Sequence, residues 1–354
     1  METKAFSEVL IHWYNTNKRD LPWRKTKDPY RIWLSEVILQ QTRVAQGSPY
    51  YEKFVETYPN VKALALADEQ DVLRLWQGLG YYSRARNMSI TAKIVVKDFD
   101  GIFPNNYKGL LKLKGIGPYT AAAIASFAFE EKVAVVDGNV FRVLARVFGI
   151  ETDISSHEAK NVFSKLANEL ISTESPSTYN QAIMEFGAIH CTSVNPVCKF
   201  CVFNESCVAN AKGMQSILPI KSKKVKVRNR FFNYFVIELN GKFLMHQRSE
   251  GDIWTGLNDF YLVENEEKFS ELDEINSDFL QETLSKSIIK GNSEKIKHIL
   301  THQLIEARFW HLVLNEEVAV PLGYAFYSSD EVESLPKPIL IEKYLKSFWC
   351  SFKK

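Results

Sequence analysis

Four cysteines crowd into one short stretch, Cys191-x6-Cys198-x2-Cys201-x5-Cys207, and this stretch limits what the chain can become more than any other. Only five cysteines occur in 354 residues, too few for a disulfide framework to organise the fold. Thiols packed so closely in a chain of this kind hold a metal centre, and the spacing points to a 4Fe-4S cluster. Zinc is the competing occupant, although four-cysteine zinc sites usually come as two separated C-x2-C knuckles and this run contains one. Buried unliganded thiols or disulfides are the plain alternative. The fifth cysteine, Cys350, lies far off near the C-terminus and is assigned no role.

At 354 residues the chain exceeds one average domain, and 45% apolar content with 13% aromatic suffices for ordinary packed cores, so two or three domains are expected. No run of about 18 apolar residues occurs, and the segment Met1-Glu-Thr-Lys-Ala-Phe-Ser-Glu8 has no signal-peptide apolar core. A soluble, cytoplasmic protein without a membrane partner is expected. A net charge of +2 argues neither for nor against nucleic acid.

From Ser7 to about Cys207 the apolar spacing is helical, as in Val61-Leu64-Leu66 and Val72-Leu73-Leu75-Trp76, so this half reads as all-α. Between Cys207 and Glu238 there is no acid, while Lys212, Lys221, Lys223, Lys224, Lys226, Arg228 and Arg230 are basic and Pro219 interrupts any helix. That stretch reads as a linker, either lying along phosphates or simply solvated. Beyond it the period changes. Phe231–Leu239 alternates in part, Asn240-Gly241 supplies a tight turn, and Lys242–Gln247 completes a β-hairpin that opens a second, α+β domain.

Asp28-Pro29 reads as a helix start, with the helix continuing through Ile32, Trp33, Glu36, Val37 and Gln40. Glu36 follows Trp33 by three and Ile32 by four, so it shares a face with large apolar groups. Desolvation there would raise its pKa and suit it to general acid work; a solvated surface glutamate is the bland reading. Asp137, before Gly138-Asn139 and the helical run Val140–Phe148, reads on its own as a turn or capping aspartate. Gly115-Ile116-Gly117, with Pro118 opening the next helix, forms a hairpin between two helical runs, whose exposed N–H groups could bind a phosphate.

Several ordered motifs together carry a family resemblance. Leu113-Lys-Gly-Ile-Gly-Pro-Tyr-Thr-Ala121 resembles the helix-hairpin-helix of the endonuclease III superfamily of DNA glycosylases, and Val136-Asp-Gly-Asn-Val140 resembles the segment with its catalytic aspartate. Within that superfamily Leu21-Pro-Trp-Arg24, Ser35-Glu-Val-Ile-Leu-Gln-Gln-Thr42 and Gly78-Leu-Gly-Tyr-Tyr-Ser-Arg-Ala-Arg-Asn87 look like the adenine DNA glycosylases of the MutY type. The segment from Thr255 to Glu264 resembles the start of a Nudix-type fold, but Glu266–Glu274 lacks the acid-rich magnesium helix of catalytic Nudix hydrolases, which suggests recognition rather than hydrolysis.

The resemblance implies a helical glycosylase region over 1–212, made of a helix-hairpin-helix six-helix subdomain at about 21–133 and an iron-sulfur subdomain from 1–20 with 134–212. A basic linker over 213–228 and a Nudix-like recognition domain over 229–354 would follow. It implies removal of adenine mispaired with 8-oxoguanine or guanine in duplex DNA, by a monomer whose partners include DNA and conceivably a sliding clamp, located with the nucleoid if bacterial. Glu36 would protonate adenine, Asp137 would stabilise the oxocarbenium-like sugar, Tyr119 would support Asp137 or the transition state, and Asn139 would sit near this site or serve as a plain helix N-cap. Relatives with lyase activity carry a Schiff-base lysine where this chain has Tyr119, so a monofunctional enzyme is implied. Leu21, Trp23, Arg24, Leu39 and Gln181 would surround the flipped base, with Arg24 and Gln181 offering hydrogen bonds, while Gln41, Thr42, Tyr81, Gly115 and Gly117 would contact DNA. His298-Ile-Leu-Thr-His302 resembles a Phe-Ser-His loop that contacts the oxidised guanine, with Leu300 and Thr301 departing from it; Thr301 keeps the hydroxyl and His302 the imidazole. An ordinary strand with buried Ile299 and Leu300 is compatible with that role. A pyrimidine glycosylase with lyase activity, a non-catalytic iron-sulfur DNA-binding protein and a Nudix hydrolase are the rivals.

Overall fold

A computed structural model describes residues 3–222, 226–265 and 277–352, and the chain divides into two compact units, Met1–Leu66 with Asn87–Lys223 and Ala67–Arg86 with Lys224–Lys354. The segment Glu266–Glu274, Lys223, Lys224 and the side chain of Cys350 lie outside the described residues.

The first unit is helical, and its sequence shows why. Asp28 accepts a hydrogen bond from the Tyr30 N–H at 2.9 Å and Pro29 occupies the first turn, so the helix Pro29–Ile38 starts where a capped chain starts most favourably, a gain of about 1 kcal/mol for the cap. Tyr30 and every residue from Ile32 to Ile38 are buried, which marks a helix enclosed on nearly all sides. It stops at Ile38, two residues short of the expected Gln40, because Leu39 closes it and Gln41 turns left-handed at φ 55. The helix Pro118–Phe129 packs beside it, and the run Ala121-Ala122-Ala123 is buried where small side chains permit close approach.

Gly115 takes φ 75, and a Cβ there would lie 2.6 Å from the Asn87 Cβ, so the hairpin needs glycine twice over. The helical stretch before it, Tyr107–Leu110, is a single turn followed by further turns, shorter than the expected helical run. Leu66, expected on the apolar face of Val61–Leu66, is 89% exposed, while Val61 and Leu64 are buried.

A second core of this unit joins the helices Thr3–Asn17, Gly138–Phe148, His157–Leu170 and Pro176–Ile189. Phe6 stacks on Phe203 at 4.8 Å, which ties the first helix to the cysteine-bearing loop. Gly187 lets Pro176–Ile189 approach Gly138–Phe148 closely. A Cβ on it would stand 2.7 Å from the Asn139 Cβ, so any larger residue would push Asn139 away.

The second unit is a mixed sheet with helices. Its seven strands, among the described residues, are β1 (Arg228–Leu239), β2 (Lys242–Gln247), β3 (Asn258–Asn265), β4 (Ser287–Asn292), β5 (Ile296–Ile299), β6 (Gln303–Leu314) and β7 (Tyr324–Ser328). The order is β4-β6-β1-β3-β2-β7, with β5 also on β6 and only β1 and β6 running parallel. Asn240 and Gly241 both have positive φ, the geometry that lets a two-residue turn follow strand twist. β1 keeps a period of two without polar alternation, since Phe232, Tyr234 and Val236 pack into one core and Phe235 and Ile237 into another. A strand covered on both faces has no reason to alternate in polarity. The first core includes the helix Ile339–Phe352, where Tyr344 stacks on Phe309 at 3.9 Å.

Candidate active site

Leu21, Trp23, Arg24, Glu36, Leu39, Thr42, Tyr119, Asp137, Asn139 and Gln181 all line one cavity of the first unit. They arrive from the turn Pro22–Arg24, the buried helix Pro29–Ile38 and the turn that follows it, the N-terminal ends of the helices that begin at Pro118 and Gly138, and the middle of Pro176–Ile189. Trp23 stands edge-on to Tyr51 at 5.2 Å and forms a fixed apolar wall with Leu21.

Glu36 is 7% exposed, so it is not a surface glutamate. Burial pushes its carboxyl up to about 7, with nearby Asp137 adding to the rise, while the Tyr119 hydrogen bond and the Arg24 charge pull it partly back. The Tyr119 hydroxyl donates to Glu36 Oε2 at 2.6 Å. Tyr119 therefore hydrogen-bonds Glu36 and interacts with Asp137 only through its charge.

Asp137 is the N-cap of Gly138–Phe148. Its Oδ1 accepts from the Asn139 and Val140 N–H groups at 2.9 and 2.8 Å, and its Oδ2 accepts from Asn139 Nδ2 at 2.8 Å. Asn139 lies inside the helix, so the plain N-cap account of it does not hold; its amide links Asp137 to Arg142, which donates to Asn139 Oδ1 at 2.7 Å. Arg142 also donates to the Gly187 and Cys191 carbonyls at 2.7 and 2.8 Å. Burial raises the Asp137 carboxyl, opposed by these hydrogen bonds and by Arg142. The segment leading to Asp137 is fixed by fully buried Asn180, which accepts from the Val135 N–H at 3.0 Å and donates to Ser126 Oγ and the Val133 carbonyl.

Glu185 lines the same cavity and was missed in the sequence. It accepts from Arg19 Nε and Nη2 at 2.8 and 2.6 Å, from the Arg19 N–H at 2.9 Å and from Arg24 Nη2 at 2.7 Å. Burial alone would push it up, but the two guanidiniums outweigh it and hold the carboxyl at about 2. Arg24 is thus already engaged, and the Gln181 carbonyl oxygen accepts from Tyr14 Oη at 2.9 Å. A signal for Glu185 did exist, an acid inside the apolar run Ile183-Met184-Glu185-Phe186.

Cys191, Cys198, Cys201 and Cys207 line a second, small cavity of this unit. Burial pushes the Cys201 thiol up to about 11 and raises Cys207 as well, so free thiolates are disfavoured there without a compensating cation. Donors surround the sulfurs: Arg146 Nη1 lies 3.5 Å from Cys191 Sγ and the Phe203 N–H 3.4 Å from Cys201 Sγ. Arg146, 3% exposed, also donates to the Thr192 and Leu218 carbonyls, which pins the loop to Gly138–Phe148. No group of three or more His, Cys, Asp or Glu among the described residues is set to hold a metal ion.

The residues expected on DNA lie elsewhere. Gln41 is exposed on its left-handed turn, and Gly115 and Gly117 are exposed at the hairpin, with Gly117 as N-cap of Pro118–Phe129. Within the second unit Tyr81, 44% exposed at φ 49, meets the hydroxyl of Thr301 in a short hydrogen bond. Thr301 and His302 form the exposed tip of the hairpin between β5 and β6, closed by the Leu300 N–H on the Gln303 carbonyl at 2.8 Å. Ile299 is 79% exposed, so the expectation that it is buried in an ordinary strand is corrected; β5 is an edge strand one residue from the turn.

The family model for the HhH-GPD superfamily base excision DNA repair proteins matches residues 34–169, and that of the NUDIX domain matches residues 233–347. An adenine DNA glycosylase of Buchnera aphidicola subsp. Acyrthosiphon pisum is 34% identical over 76% of this chain and 77% of its own length. One from Buchnera aphidicola subsp. Schizaphis graminum is 30% identical over 98% of this chain and 100% of its own. Among solved structures, a thermostable thymine-DNA glycosylase superimposes with a TM-score of 0.56 at 31% identity, covering 59% of this chain and 97% of that one. No helix among the described residues is long and apolar enough to cross a membrane. With the helical cavity, the Nudix-like sheet and full-length similarity all present in one chain, it belongs to the adenine DNA glycosylases, DNA repair proteins of the HhH-GPD superfamily.

Proposed function

We propose that this chain hydrolyses the N-glycosidic bond of adenine mispaired with 8-oxoguanine or guanine. The observation that carries the reading is a protonatable Glu36, poised near neutrality, facing the same cavity as the hydrogen-bonded carboxylate of Asp137. Glu36 Oε1 donates its proton to the departing base, and Tyr119 steadies the opposite oxygen. As the C1′–N9 bond breaks, positive charge grows on the sugar, and Asp137, held rigidly by Asn139 and the helix N-terminus, stabilises it. Water completes an abasic site. Leu21, Trp23 and Leu39 give the flipped base an apolar surface, and Arg24 with Gln181 stands at its polar edge. Position 119 is a phenol without a nucleophilic amine, which supports a monofunctional enzyme.

Gln41 and Tyr81 enter the duplex beside the lesion, Thr42 contacts the DNA, the Gly115–Gly117 hairpin binds backbone phosphate, and Thr301 with His302 reads the oxidised guanine. Support comes from the exposed left-handed turns at Gln41, Tyr81 and Gly115 and from the Tyr81–Thr301 hydrogen bond. The four cysteines hold a 4Fe-4S centre; their number, shared cavity and surrounding donors fit such a group. When bound, that centre supplies a cross-link bracing the loop that Arg142 and Arg146 attach to the Asp137 helix. Cys201→Ser should lower iron and sulfide content and the thermal midpoint together. In this reading 1–212 is the glycosylase region, 213–228 a basic linker and 229–354 the recognition domain of a monomer working on chromosomal DNA in the cytoplasm, with a sliding clamp the protein partner to test by pull-down.

The test is a single-turnover reaction on an end-labelled duplex containing one 8-oxoG:A pair, read with and without alkali. Strand cleavage only after alkali is expected. Cleavage without alkali would reinstate a lyase, and none in either case from iron-replete protein would leave DNA binding without catalysis.

A further inference from the structure

Tyr81 stands on a loop whose backbone is costly to hold, with positive φ at Gly78, Gly80 and at Tyr81 itself. A bulky non-glycine residue at φ 49 persists only where its surroundings fix it. Those surroundings lie close in sequence. The Gly80 carbonyl accepts from the Trp76 indole N–H at 3.0 Å and from Arg84 Nη2 at 3.1 Å, so two donors hold one peptide oxygen. The Arg84 guanidinium lies 4.9 Å from the Trp76 ring centroid and 5.7 Å from that of Tyr81. The Tyr81 carbonyl accepts the Arg84 N–H at 2.9 Å.

We infer that Arg84 is a positioning residue that, with Trp76, holds Tyr81 as a ready-set wedge, so that the strain of its backbone is met before DNA arrives. The inference rests on the reading above that Tyr81 enters the duplex. A wedge that had to be ordered on binding would lose that ordering entropy from every encounter, whereas a clamped one spends its binding on unstacking the mispair. Arg84 is suited to the role because a flat cation can stack on two rings and still donate to a carbonyl, which lysine cannot do at once. Burial lowers its pKa to about 10, which leaves it charged at neutral pH.

The experiment is a double-mutant cycle over wild type, Tyr81→Leu, Arg84→Met and the double variant. Each is read by the fluorescence of 2-aminopurine beside the mispaired adenine and by single-turnover rate. Arg84→Met should lower unstacking amplitude and rate about tenfold, the size of a lost cation–π contact with a charge-assisted hydrogen bond, with little change in thermal midpoint. The double variant should be no worse than Tyr81→Leu, and Arg84→Lys should fall between Arg84→Met and wild type. Losses that multiply in the double variant would overturn the inference while leaving Tyr81 as the wedge. A shallower salt dependence of binding for Arg84→Met would also overturn it, marking a phosphate contact instead. If Tyr81→Leu itself unstacked the mispair normally, the wedge reading would fail and this inference with it.

Discussion

Two buried glutamates face the same cavity and are tuned in opposite directions. Glu36 sits among Ile32, Trp33 and Val37 with one phenol as partner, and its carboxyl rises from 4.5 to about 7. Glu185 is just as buried but is surrounded by Arg19 and Arg24, and its carboxyl falls from 4.5 to about 2. Burial acts on both; the count of cations in contact decides which way the balance goes. The first is therefore fitted to give up a proton near neutrality, while the second stays anionic and fixes the two guanidiniums along the cavity wall.

The comparison is sharpest at Glu36. Glu36→Gln should lower the single-turnover rate by about a hundredfold or more, measured on the 8-oxoG:A duplex, while duplex binding survives. The same change should stabilise the fold at alkaline pH. A carboxyl whose folded pKa is raised costs nothing below its unfolded value of 4.5 and costs progressively more as pH rises toward about 7, reaching roughly 3 kcal/mol above it. Urea unfolding at pH 8 should show that gain, and its absence would mean that Glu36 is not held neutral.

Glu185→Gln should act in the opposite sense. Its lowered pKa contributes stability that is present above 4.5 and lost as pH falls toward about 2, so the variant should lose roughly 3 kcal/mol at pH 7 and little at pH 2. Denaturant midpoints at the two pH values test this.

Smaller effects follow from the pH profile. The wild-type rate should fall as pH rises through about 7, where Glu36 loses its proton, and on the acid side as Asp137, itself raised by burial, gains one. Tyr119→Phe should cost only several-fold in rate, in line with one hydrogen bond. Because the phenol lowers the Glu36 pKa, its removal should shift the alkaline limb upward. A downward shift would place Tyr119 on the wrong partner.

Local patterns were readable where the chemistry was local. Asp28-Pro29 announced its helix and Asn240-Gly241 its hairpin, whereas the apolar neighbours of Glu36 fitted a solvated glutamate equally well until the fold buried it. Helix ends were less readable, since the left-handed turn at Gln41 leaves no composition signal. The partners of Glu185 lie 166 and 161 residues away in the chain, so no window of sequence contains them. Asn180 and Gly187 look like ordinary helix residues until Val135 and Asn139 are placed against them.

The sequence by itself determined the secondary-structure periods, the family motifs and the residue types able to carry acid, anion and thiolate chemistry, because these depend on neighbours along the chain. The tertiary structure alone decided which glutamate has its pKa raised and which has it lowered, that Tyr119 bonds to Glu36, and that Asn139 and Arg142 join Asp137 to the cysteine loop. Those are matters of desolvation and of cations and donors brought within hydrogen-bond distance, and only folding across hundreds of residues sets them.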